Sequence, residues 1–226
     1  MKIEEKSMKK ISKKRLERIL SEHKLWQKGI GGSKADLSET DLYGSNLSGA
    51  DLSGANLYYA QLKSVNLCGA DLSGANLEGA GVCGADLSGA LLPFARLLKA
   101  NLSGADLKNV NLSNADLGNA NLSGADLKNA ALAHAYLFGA DLSGADLSGA
   151  NLSGVNLSYA RLSKANLSGA NLKNADLSYA NLSDAVLLGT CLVGVILSDA
   201  NLSGTDIFLA NADSTNTISG ASISFF

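Results

Sequence analysis

Two histidines, three cysteines and 21 carboxylates are the residues with which this 226-residue chain could do chemistry. Catalysis needs such groups to converge in surroundings that tune them. His23 and His134 lie far apart, and neither has a nucleophile pattern around it. No P-loop, GxSxG, HExxH or GxGxxG motif occurs. Cys68, Cys83 and Cys191 are too widely spaced for a metal site, and their odd number gives no disulfide framework. They read as reduced thiols of a cytoplasmic protein. The expectation is a protein that is not an enzyme, with no cofactor and no metal.

The carboxylates do show one pattern. Asp86, Asp106, Asp126 and Asp146 recur at intervals of twenty residues, with Lys108 and Lys128 two places after the middle pair. Such a row could present negative charge to a partner. It could equally reflect a slot where Asp and Asn serve interchangeably as hydrogen-bonding residues, since Asn101, Asn121, Asn181 and Asn201 fill that slot elsewhere. Which structure would bring residues twenty apart together?

A five-residue period answers this. From position 37 to 207 every fifth residue is apolar, 35 in succession, and 33 of these are Leu, the exceptions being Val82 and Ile207. Two places before it stands a small residue, nearly always Ala, and the other slots are polar or Gly. Helices bring side chains onto one face at three or four residues and strands at two, so neither suits a period of five. A chain that turns a corner every five residues does. Four corners close a coil of twenty with Leu and Ala inside, and coils then stack at about 4.8 Å through backbone hydrogen bonds. Ser and Gly suit the corner, but Tyr59, Phe94 and Lys99 share the slot, which predicts corners of mixed geometry.

The repeat resembles the A(D/N)LXX motif of the pentapeptide repeat family from residue 35 to about 214. The resemblance implies an all-β solenoid, a right-handed quadrilateral β-helix. The handedness comes from the family alone. The length of the repeat predicts about nine coils and a rod some 40 Å long. The expected organisation is a basic segment over 1–32, the repeats over 33–214, and a terminal segment over 215–226 that covers the end or makes a contact.

The first segment holds a short helix at about 12–28, with Leu16, Ile19, Leu20, His23 and Trp26 on one face and glycines 29, 31 and 32 behind it. Its expected role is to cap the open first coil, because a solenoid end needs a cover. A basic amphipathic helix for a membrane surface or nucleic acid is the alternative. Residues 1–30 carry ten Lys or Arg against four Glu (+6), while residues 31–226 carry nine against seventeen acids (−8). No run of about 18 apolar residues exists, so no membrane partner is expected. Direct nucleic-acid binding is not expected either.

The surface supplies the remaining signals. Val186, Leu188, Cys191, Val193, Ile196, Phe208 and Leu209 stand in outward slots that mostly hold Asp, Asn, Ser or Gly elsewhere, apart from two smaller apolar clusters, Leu91, Pro93, Phe94 and Leu98, and Tyr136 and Phe138. Contiguous apolar patches mark contacts. This one predicts either a homodimer through the C-terminal end or cover from Ile218, Ile223, Phe225 and Phe226 of the same chain. The leading function is a structural or protein-interaction scaffold of unknown partner. The family resemblance adds a DNA-mimicking binder of DNA gyrase or topoisomerase IV, as in quinolone-resistance proteins. The basic segment, a charge density far below DNA's one charge per about 1.7 Å and the absence of Phe from the central slot oppose that. An ice-binding surface is weaker still, because the outward slots hold Ser, Asn and Asp in place of Thr.

Overall fold

The structure, a computed structural model, describes residues 8–210. The chain is a solenoid in which every five-residue unit pairs in parallel with the unit twenty residues on. The pairing runs without a break from Asp36↔Asn56 to Asn181↔Asn201. Four units therefore complete one coil. Every central apolar residue from Leu37 to Leu202 is at most 2% exposed, and the Ala slots beside them form the rest of one continuous core.

One unit in mid-stack shows why these residues take this shape. The N–H of Asn101 donates to the Ala80 carbonyl (2.9 Å) in the preceding coil, and that of Leu102 to the Asn121 carbonyl (2.7 Å) in the following one. Gly104 N–H donates to the Ser123 carbonyl (3.0 Å), and Ala105 N–H closes the corner onto the Leu102 carbonyl (3.0 Å). The fifth N–H, of Ser103, goes to the Asn101 side-chain oxygen (3.1 Å). Every N–H of the unit is thus satisfied, as a wholly ordered backbone requires.

The corners correct the expectation of mixed geometry. All positions at five-residue intervals from Glu39 to Gly204 have positive φ, whether Gly or not, including Tyr59 (52°), Phe94 (58°) and Lys99 (57°). A positive φ confined to the third residue of a hydrogen-bonded four-residue turn is the type II pattern. The bulky residues are tolerated because the coil on either side fixes the turn through the axial hydrogen bonds. Gly is common there for its backbone alone.

At the N-terminal end, β1 (Lys9–Lys10) pairs in parallel with β2 (Thr40–Asp41) and so stands where a preceding coil would lie. The helix α1 (Lys13–Gln27) follows, with Ser12 as its N-cap accepting from Arg15 N–H, and Lys28 as C-cap. These bounds match the expected 12–28. Leu16, Ile19 and Leu20 pack with Ile11 against the solenoid core. Trp26 differs from expectation: it is 42% exposed at the rim, stacked on His23 rather than on the core. At the other end the repeat stops in a 3₁₀ turn at Ile207–Leu209. Asp206 marks the change, for its side chain and not its carbonyl accepts from Leu187 N–H. The expected cover by Ile218, Ile223, Phe225 and Phe226 lies outside the described residues.

The corner geometry yields a test at Gly104, where an added Cβ would meet no atom within 4 Å although φ is 62°. Gly104→Val is expected to destabilise by about 1–2 kcal/mol through backbone strain alone. Gly104→Asn should cost much less, as at the natural corners Asn109, Asn114 and Asn119. Equal denaturant midpoints for the two variants would show that the left-handed corner does not select its residues.

Candidate functional site

The period of twenty turns the sequence into columns, and the surface is read down them. The Asp or Asn slot is first of all a backbone device. Its Oδ1 accepts from the N–H two residues on throughout the stack, as at Asp86 to Ser88 (2.9 Å), Asp106 to Lys108 (3.1 Å) and Asp146 to Ser148 (3.0 Å). Asp and Asn both offer that oxygen, which explains their interchange.

The acidic column is real in space. Asp86, Asp106, Asp126 and Asp146 are bridged in series. It is not bare charge, however. Lys108 Nζ lies 2.8 Å from Asp106 and 3.1 Å from Asp126, and Lys128 Nζ lies 3.7 Å from Asp126 and 3.1 Å from Asp146. The two lysines zip three carboxylates together along one side. Partial burial works against ionised Asp106, but hydrogen bonds from Lys108 outweigh it and hold the carboxyl below its ordinary pKa. For Asp146, burial is likewise outweighed, by Ser148 and then Lys128. Hydrogen bonds to Asp106 and Asp126 raise Lys108, and the bond to Asp146 raises Lys128. Asp86 is held by Ser88 in place of a lysine, through its N–H (2.9 Å) and its hydroxyl (2.6 Å).

Below this column the apolar residues begin. Val186 pairs with Asn166, which pairs with Asp146, so Val186 and Leu188 continue the acidic side. Cys191 pairs with Asn171 and Ile196 with Asp176, on the next two sides of the coil. The seven residues therefore form a collar around the rod's C-terminal end and not a flat patch. Val186, Leu188, Ile196 and Leu209 are exposed, and Phe208 is 71% exposed. Cys191 and Val193 are half-buried. Val186, Cys191 and Ile196 fill the Asp/Asn slot of three successive units and have no oxygen to offer the turn. Three consecutive units forgo the device, which elsewhere in the stack is lost only singly or in pairs, at Gln61, Gly81, Leu91 with Arg96, Ala131 with Tyr136, and Arg161.

Reasoning along the chain finds Tyr136 and Phe138 as a small outward cluster but misses the stack they begin. Tyr136 stacks on Phe138 (6.1 Å), Phe138 tilts against Tyr159 (5.3 Å), and Tyr159 stacks on Tyr179 (4.8 Å). They form an aromatic corner rising through successive coils. Tyr58 and Tyr59 stand higher on the same columns, so five of the six tyrosines share one edge of the rod. Sorting the sequence into rows of twenty would have revealed it. Among the described residues no group of three His, Cys, Asp or Glu could hold a metal ion, and no helix is long and apolar enough to cross a membrane.

Comparison with known proteins agrees with this architecture. The family model for pentapeptide repeats (8 copies) matches residues 35–74, 70–109, 105–144, 135–174 and 165–204. The crystal structure of HetL, a pentapeptide repeat protein involved in heterocyst differentiation regulation in the cyanobacterium Nostoc sp. strain PCC 7120, is 37% identical. It covers 82% of this chain and 86% of its own, with a TM-score of 0.61. A pentapeptide repeat protein of the Arabidopsis thaliana thylakoid lumen is 36% identical over 40% of this chain and 66% of its own (TM-score 0.35). QnrB1, a plasmid-mediated fluoroquinolone resistance protein, is 20% identical over 81% and 89% (TM-score 0.44). No sequence match was found among curated proteins.

The zipper gives a pH prediction with a definite sign. Asp106 and Asp146 are depressed, so their contribution is present above about pH 4 and fades as pH falls below it. Lys108 and Lys128 are raised, so theirs is present below about pH 10.4 and fades as pH rises through their folded values. Lys108→Gln should therefore melt slightly below wild type at pH 7, and the gap should narrow as pH falls from 4 to 3. An equal gap at pH 3 and pH 7 would mean that packing, and not charge, sets the effect.

Proposed function

The chain belongs to the pentapeptide repeat family, and on that premise we propose that it is a non-enzymatic rod acting as a scaffold for a protein partner. The observation that carries this reading is the collar. Where the outward Asp/Asn slot is filled by Val186, Cys191 and Ile196 in three successive units, the solenoid gains nothing from the change. Exposed apolar side chains that do not serve their own fold serve a contact.

The same reading includes a coil of about nine turns, right-handed as the family resemblance implies, with the collar as its distal contact. It takes residues 1–32 as the cap, 33–214 as the solenoid and 215–226 as the terminal segment. Leu16, Ile19 and Leu20, packed on the core, support the capping role of α1. The free thiols Cys68, Cys83 and Cys191 suit a reducing, cytoplasmic setting. Mimicry of DNA toward gyrase is the weaker reading, because Lys108 and Lys128 neutralise much of the column that would imitate phosphates.

Capture from native lysate tests the scaffold. A partner held by wild type and released by an Ile196→Lys, Phe208→Lys double variant is expected, with gyrase supercoiling unaffected by either. Gyrase inhibition by wild type would reverse the order of the two readings. For self-association, a contact through the collar predicts a homodimer at tens of micromolar in sedimentation, reduced to monomer by the same double variant. A wild type that sediments as a monomer would remove the dimer.

A further inference from the structure

His23 of α1 is fully buried where the helix meets the first coil. Its Nδ1 accepts a hydrogen bond from the Ala35 backbone N–H at 3.1 Å. A ring nitrogen that accepts carries no proton, so the neutral ring holds its proton on Nε2. That nitrogen faces the Gln27 amide nitrogen at 3.2 Å. Gln27 in turn directs its amide hydrogens to Asp51 Oδ1 and Ser53 Oγ. Nδ1 therefore looks onto an N–H group, while the Ser53 backbone offers the ring a hydrogen bond that favours its protonated form. Trp26 lies against its face, with ring centroids 5.4 Å apart and planes 12° from parallel.

We propose that His23 is a pH-sensitive latch that holds α1 on the first coil while neutral and releases it when the ring takes a second proton. The added proton has one place to go, Nδ1, where it meets the Ala35 N–H donor to donor. Two charged groups of the solenoid face the ring: Asp51, which favours the imidazolium, and Lys34, which opposes it. Burial, the largest influence, outweighs both Asp51 and the Ser53 backbone hydrogen bond and keeps the imidazole below its ordinary pKa. The docked state thus binds the proton less readily than the released one. Docking is at full strength above about pH 6.5 and weakens as pH falls, by up to tenfold per unit until the docked pKa is passed. A hollow lined by Trp26, Gln27, Asp51 and Ser53 lies beside the latch. Release would withdraw Leu16, Ile19 and Leu20 from the core and bare the first coil, whose exposed edge is a template for end-to-end pairing.

Hydrogen exchange of the full-length protein at pH 7.5 and 5.0, corrected for intrinsic rates, tests this. The amides of α1 should lose protection about tenfold or more at pH 5.0 while those of residues 60–190 keep theirs. His23→Gln, which can still accept from Ala35 but does not titrate, should keep α1 protected at both pH values. Unchanged protection in wild type, or an equal loss in His23→Gln, would overturn the latch. If His23→Gln leaves α1 undocked at both pH values, Asp51→Asn decides. Removing the charge that stabilises the docked imidazolium should deepen the loss of α1 protection at pH 5.0 without changing it at pH 7.5, and an undeepened loss would refute the proposal.

Discussion

The axial hydrogen bond between coils is the interaction on which everything else in this molecule rests. A five-residue unit that turns a corner makes only one backbone bond within itself, as Ala105 to Leu102 does. Three of its other N–H groups depend on the coils before and after, and the last depends on an Asp or Asn side chain. No unit can therefore be ordered alone. The buried Leu residues contribute on the order of 2 kcal/mol each, which is smaller than the entropy of ordering five residues. Order comes from the stack and is cooperative between neighbours.

That dependence explains what the repeat holds fixed and what it leaves free. Leu and Ala are fixed by the width of the coil. Asp or Asn is favoured by the one N–H that the backbone leaves over. The corner is fixed in conformation but not in residue type, so Gly, Asn, Tyr, Phe, Lys and His all occupy it at φ near 60°. The slot before the corner is free. Function can be written only into positions that are free, or into fixed ones where the stack can bear the loss. The lysines of the zipper are of the first kind, and Val186, Cys191 and Ile196 are of the second.

The period, the inward Leu, the twenty-residue coil and the span of α1 were legible in the sequence because each follows from spacing alone. The uniform corner was not. Tyr59 and Phe94 look incompatible with a left-handed backbone until the axial bonds that enforce it are counted. The place of Trp26 was misjudged because helical spacing gives a face and not the edge of what it covers. The acidic column was readable, but Lys108 reaching Asp126 as well as Asp106 depends on side-chain reach across a coil. The collar was legible as composition. Its course around three sides of the rod emerges only when the units are placed on successive sides.

The unbroken register has an evolutionary corollary. Gain or loss of one unit keeps every Leu inside, yet it rotates all later columns by a quarter turn. Asp126 would then leave the side that Lys108 occupies, and the aromatic corner at Tyr136–Tyr179 would no longer lie under Tyr58 and Tyr59. Gain or loss of four units together restores every column and changes only the length, by about 4.8 Å. A lineage of such rods can thus drift in length by whole coils while keeping its surface inscription in phase, whereas smaller changes scramble the surface and leave the core untouched.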